Sequence, residues 1–234
     1  MTTDVTAQTV RYAFYKTDPA WRRLPEDARA RSKREFASVI AELGAQFTLR
    51  TYSLMGMRAD AELMIWSVSA DLKGQQTLAT SLARTELGAY LNVTHSYLAM
   101  TRRSMYIDDH EHNRHDASES RTRIKPMDRP YLFVYPFVKT HDWYQLSSEE
   151  RQRMMEEHFA VGHRYPEVKI HTSYSYGLDD QEFVLGFETS EPKRFLDLVM
   201  ELRHAEQRPY TERDVPIFTC LLKPVEEMLD DLGG

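Results

Sequence analysis

The stretch SEERQRMMEEHFAVGH, from Ser148 to His163, carries a histidine in unusual company. At helical spacing Met154, Met155, His158, Phe159 and Val161 share one side, while Glu149, Arg151, Arg153 and Glu156 fall largely on the other. His158 is therefore expected to point inward, among thioethers and an aromatic ring. An imidazole so placed is either a satisfied core histidine or the axial ligand that a haem-type iron requires in an apolar pocket. A second group lies in YLFVYPFVK, where Tyr131, Phe133 and Tyr135 alternate onto one side of a strand and Lys139 stands at i+4 from Tyr135. Pro136 suits a strand edge or end. This pair reads either as a strand end with a long cation reaching for solvent or as a phenol and an ammonium flanking an acidic substrate. A third group is His110, His112 and His115 with Asp108, Asp109 and Asp116. It offers donors for a divalent metal, but the spacing fits no specific motif, and a charged, solvated loop is the plainer account.

These groups need elements to hold them, and the chain supplies one pattern twice. Val10–Tyr15 reads as a strand, followed by a helix over 25–43 with Ala28, Phe36, Val39, Ile40 and Leu43 on one face and Gly44 at its C-cap. Strands at Phe47–Leu54 and Ala61–Val68, a helix at Gln75–Tyr90 and a strand at Thr94–Met100 complete the first pass. The second begins with the strand Tyr131–Phe137. A helix follows, N-capped by Ser147 or Ser148, with Glu149 and Glu150 suiting its positive end. Strands at Lys169–Tyr174 and Glu182–Glu188, a helix from Pro192 to Ala205 and a last strand at Ile217–Leu222 finish it. Each pass is β-α-β-β-α-β, the ferredoxin-like unit. The expected fold is α+β, two ferredoxin-like halves stacked sheet on sheet as a dimeric α/β-barrel. The halves run 1–107 and 130–234, with 108–129 a linker or long functional loop and the candidate site in the second half.

Composition bounds the function without choosing it. A net charge of −6 gives no electrostatic support for binding a phosphate backbone, so nucleic acid is not an expected partner. The single cysteine, Cys220, excludes a disulfide framework or a thiolate cluster within one chain. No apolar run approaches the ~20 residues of a membrane span, and the N-terminus lacks a signal pattern, so a soluble cytoplasmic protein is expected.

From Tyr131 to Cys220 the motifs YPFVK, WYQL, EERQRMMEEHFAVGHRYPEVK, GLDDQEFVLGFET, VMELR and FTC follow one another, with GMRADAELMIWSV and SYLAMTRRSMY upstream. In order and spacing they resemble the chlorite dismutase-like family, and most nearly its coproheme decarboxylases. The resemblance implies a porphyrin in the C-terminal half and a homo-oligomeric ring, commonly of five subunits. It implies haem b or iron coproporphyrin as the bound group, hydrogen peroxide as co-substrate, and oxidative decarboxylation of two propionates in haem synthesis. His158 takes the place of the axial iron ligand. Tyr135 takes that of a radical-forming phenol, Lys139 that of a cation holding a propionate, and Arg203 that of an arginine near the propionates. Arg121 or Arg123 would help from the loop.

Two positions depart from the pattern. Chlorite dismutases support the ligand histidine with a glutamate; here Gln207 stands there, with Glu206 beside it, which argues against a strong peroxidase-like push. On the other side of the iron, counting forward from His158 gives His171, and counting back from GLDD gives Ile170. Only one can face the iron, because successive strand residues point opposite ways. Neither is the arginine expected for chlorite. A base for peroxide would be His171 or one of His110, His112 and His115. The competing readings are a chlorite dismutase or haem peroxidase using bound haem b, and a haem-binding protein without turnover.

Overall fold

A computed structural model describes residues 7–104, 106 and 123–233. The chain divides into two compact units, Met1–Met100 with Phe218–Gly234, and Thr101–Ile217.

In the first unit, β1 (Thr9–Thr17) pairs antiparallel with both β3 (Leu63–Ser69) and β4 (Leu91–Met100), and β2 (Thr48–Ser53) pairs with β3. The resulting order, β4-β1-β3-β2, is that of a ferredoxin-like sheet. Helices α1 (Glu26–Gly44) and α2 (Leu72–Ala83) cover one face. Alternation along β1 sends Ala13 and Tyr15 into a core with Phe36 and Ile40 of α1 and Leu78 and Leu82 of α2. The expected helix at 75–90 is shorter than its pattern, ending at Ala83, and a 3-10 turn at Gly88–Tyr90 carries the chain into β4.

The second unit repeats the plan with β5 (Tyr131–Lys139), α3 (His141–Gln145), α4 (Ser148–His163), β6 (Lys169–Tyr174), β7 (Phe183–Thr189), α5 (Pro192–Leu202) and β8 (Thr211–Arg213). Its order is β6-β7-β5-β8. Phe133 and Tyr135 of β5 and Phe187 of β7 form the floor of a core roofed by Val161 of α4 and by Phe195 and Leu198 of α5. Phe133 stacks on Phe195 with ring centres 4.0 Å apart.

One strand differs from expectation. The fourth strand of the second sheet is the three-residue β8, too short to show a pattern in the sequence. The apolar run read as that strand is instead β9 (Phe218–Leu222), which adds to the edge of β2 in the first unit and leads into α6 (Val225–Asp230). Pro216, without an N–H for a ladder, separates the two. The segment from Phe218 onward, Cys220 included, thus belongs with the first unit.

Candidate active site

Helix α4 is fixed at its start. Ser147 is the N-cap, its hydroxyl accepting from the Glu150 amide, while the Glu150 carboxylate accepts from the Ser147 amide at 3.0 Å. This capping box is worth about 1 kcal/mol and sets where the helix begins, hence which way His158 faces. His158 lies one turn before the buried Val161, on the core side. Its ring packs edge-on against Phe159.

The imidazole is the end of a three-residue chain. Gln207 Nε2 lies 3.2 Å from His158 Nδ1, and Gln207 Oε1 accepts from Lys139 Nζ at 2.9 Å. With its carbonyl turned to the ammonium, the amide donates to Nδ1, so the neutral ring carries its proton on Nε2. Burial, helped by the positive Lys139, pushes the His158 pKa down to about 4. The ring is therefore neutral at physiological pH, as an iron ligand must be. Lys139 is itself buried, its ammonium 4.0 Å from the centre of the Trp143 ring, and desolvation pushes its pKa down to about 8. Glu206, the alternative partner considered for His158, instead pairs with Arg153 at 2.7 Å on the outer side of α4. Lys139, read in sequence as holding a carboxylate, thus has its ammonium directed at Gln207.

Tyr135 is 8% exposed and stacks on Phe187 at 5.5 Å. Burial raises its phenol pKa, and Asp214 adds to the rise against the opposing pull of Arg203 and Arg208. A phenol held protonated can give up a hydrogen atom without first losing a proton to solvent. The Asp214 carboxylate accepts from Arg203 at 2.5 Å and from Arg208 at 2.7 Å. Arg203, at the end of α5, therefore has a partner on its own chain, and Arg208 and Asp214 join it. Arg123 is exposed. Arg121 and the histidines His110, His112 and His115 lie outside the described residues.

Register settles which residue of β6 shares the side of Tyr135. Tyr135 is opposite Leu185 and Phe133 opposite Phe187, while Leu185 and Phe187 lie opposite Thr172 and Ile170 on the other flank. Ile170 and Thr172 therefore share the side of Tyr135, and Ile170 is 38% exposed there. His171 projects from the opposite side, is 4% exposed, and its Nε2 lies 2.6 Å from the carboxylate of Glu188. The expected base at His171 is thus turned away from the phenol, and of the two alternatives the strand presents Ile170. Glu188 also accepts from the Met127 amide at 2.9 Å. His171→Leu would leave a buried carboxylate without its ring partner and should destabilise the protein by about 3 kcal/mol. Thermal melts should show a drop of about 10 °C. An unchanged melt with lost turnover would restore His171 as a base.

Arg208 and Asp214, which meet across a turn, carry no spacing signal in the sequence. Trp143 sat in the motif WYQL, but only the fold brings it against Lys139.

Among known proteins, a family model described as chlorite dismutase matches residues 29–223. The chain is 32% identical over 182 residues to a coproheme decarboxylase of Mycolicibacterium smegmatis, covering 77% of this chain and 75% of that protein. It is 28% identical to the coproheme decarboxylase of Staphylococcus carnosus, over 83% of each chain. Among solved structures, chlorite dismutase from Candidatus Nitrospira defluvii in complex with imidazole superposes with a TM-score of 0.86 at 25% identity, covering 95% of this chain and 94% of that one.

Proposed function

The chain belongs to the chlorite dismutase family, and we propose that it is a coproheme decarboxylase. In this reading iron coproporphyrin is the substrate, hydrogen peroxide the oxidant and haem b the product. The observation that carries it is the buried phenol of Tyr135, on the core that also receives the His158 helix. The two decarboxylases of similar sequence support the same chemistry.

The donors present suit an iron porphyrin. His158 offers a neutral imidazole, and ligation through Nε2 would put its proton on Nδ1. The Gln207 amide would then turn its carbonyl to accept that proton, a second lone pair remaining for Lys139. A neutral amide makes the ring less anionic than a carboxylate would. When bound, the substrate's iron activates the peroxide. For each propionic acid side chain, one hydrogen peroxide is consumed, and one vinyl group, one carbon dioxide and two waters are formed. Tyr135 first gives up its phenolic hydrogen atom to the peroxide-derived oxidant and then takes one from the propionate, which a phenylalanine could not do. Lys139 keeps Gln207 in place, and Arg203 with Arg208 supplies positive charge for carboxylates. On the side of Tyr135, β6 offers Ile170 and Thr172 in place of the arginine expected for chlorite.

The reading carries with it a homopentamer in the cytoplasm; no helix of the described residues is long and apolar enough to cross a membrane. Adding chlorite to the haem-loaded protein should release no oxygen, whereas iron coproporphyrin with peroxide should release carbon dioxide. Oxygen from chlorite at a comparable rate would assign the protein to chlorite chemistry instead.

A further inference from the structure

We infer that Asp214 determines which porphyrins the site retains, by occupying the Arg203–Arg208 pair until a carboxylate of the ligand displaces it. The inference rests on the proposed porphyrin substrate and goes beyond it. One carboxylate oxygen of Asp214 takes a hydrogen bond from each guanidinium, at 2.5 Å and 2.7 Å. The two arginine side chains remain 38% and 32% exposed, so a ligand can reach them, while that of Asp214 is only 17% exposed. Two guanidiniums and one carboxylate leave one positive charge, enough to draw in an anion.

A ligand carboxylate entering here makes the same type of charge-assisted bond that Asp214 already makes. The exchange is therefore close to balanced, and small differences in the ligand decide it. The charges of all three residues are felt at the Tyr135 phenol. In this inference the carboxylate admitted is one that turnover removes. Once it leaves as carbon dioxide, Asp214 regains the arginines. A tetracarboxylate is then held by the pair and a dicarboxylate product is released from it. Asp214 touches no reacting atom in this account; it acts through the arginines.

The test is a pair of absorbance titrations of the apo-protein, with iron coproporphyrin and with haem b, for wild type and Asp214→Asn. Freed of its competitor, the arginine pair should bind iron coproporphyrin about tenfold more tightly in the variant, the equivalent of one charge-assisted bond. Binding of haem b should stay within about threefold, and Asp214→Glu should keep the wild-type ratio. If Asp214→Asn weakens both ligands, Asp214 only orients the arginines and the inference falls. It falls equally if both tighten alike or neither changes. Should Asp214→Asn fail to fold, Arg208→Gln should weaken iron coproporphyrin about tenfold more than haem b, and equal weakening overturns the inference. A wild-type protein that binds neither porphyrin would overturn the proposed function itself.

Discussion

Tyr135→Phe is expected to lose decarboxylation by about a hundredfold or more while binding iron coproporphyrin as the wild type does. The substitution removes one oxygen and leaves the ring stacked on Phe187 within a packed core. Its effect on stability should stay near 1 kcal/mol, so lost turnover cannot be ascribed to unfolding. A phenol whose pKa burial has raised remains a hydrogen-atom donor across the physiological range. Phenylalanine has no such hydrogen to give. The check is the product distribution at fixed peroxide, with binding titrated separately. Equal rates in variant and wild type would remove Tyr135 from the mechanism.

His158→Ala should weaken iron coproporphyrin binding by about a hundredfold or more, since losing an outer partner of a metal ligand alone costs ten- to a hundredfold. Free imidazole should restore the absorption spectrum of the axially ligated iron in the variant. The same residue predicts an acid limb for the apo-protein. In the fold its pKa lies at about 4, below the 6.5 of a free histidine. As pH falls from 6.5 towards 4, the unfolded chain takes up a proton that the folded chain refuses, so stability is lost across that window. His158→Ala should flatten this limb in pH-dependent melts. If porphyrin affinity and spectrum survive the substitution, another residue holds the iron.

How far the sequence foretold this site depends on whether a contact is local. The inward face of α4 was legible, because one helix repeats its own pattern and Ser147 caps it. The shared side of Phe133 and Tyr135 was legible from strand alternation. His171 shows the limit of counting: a shift of one residue reverses a strand side chain, and only pairing with β7 fixes which side Ile170 takes. Lys139 shows another limit. Its charge suggested a carboxylate partner, but burial beside Trp143 directs it to the amide of Gln207, far along the chain. The exchange of β9 for β8 was hidden because a three-residue strand has no period to read.

The most direct measurement mixes the protein with iron coproporphyrin, adds hydrogen peroxide stepwise, and follows porphyrin masses. Two carboxyl groups should be lost in succession, one for each equivalent of peroxide, ending at haem b. A porphyrin that keeps all four carboxylates while peroxide is consumed would contradict the proposed function.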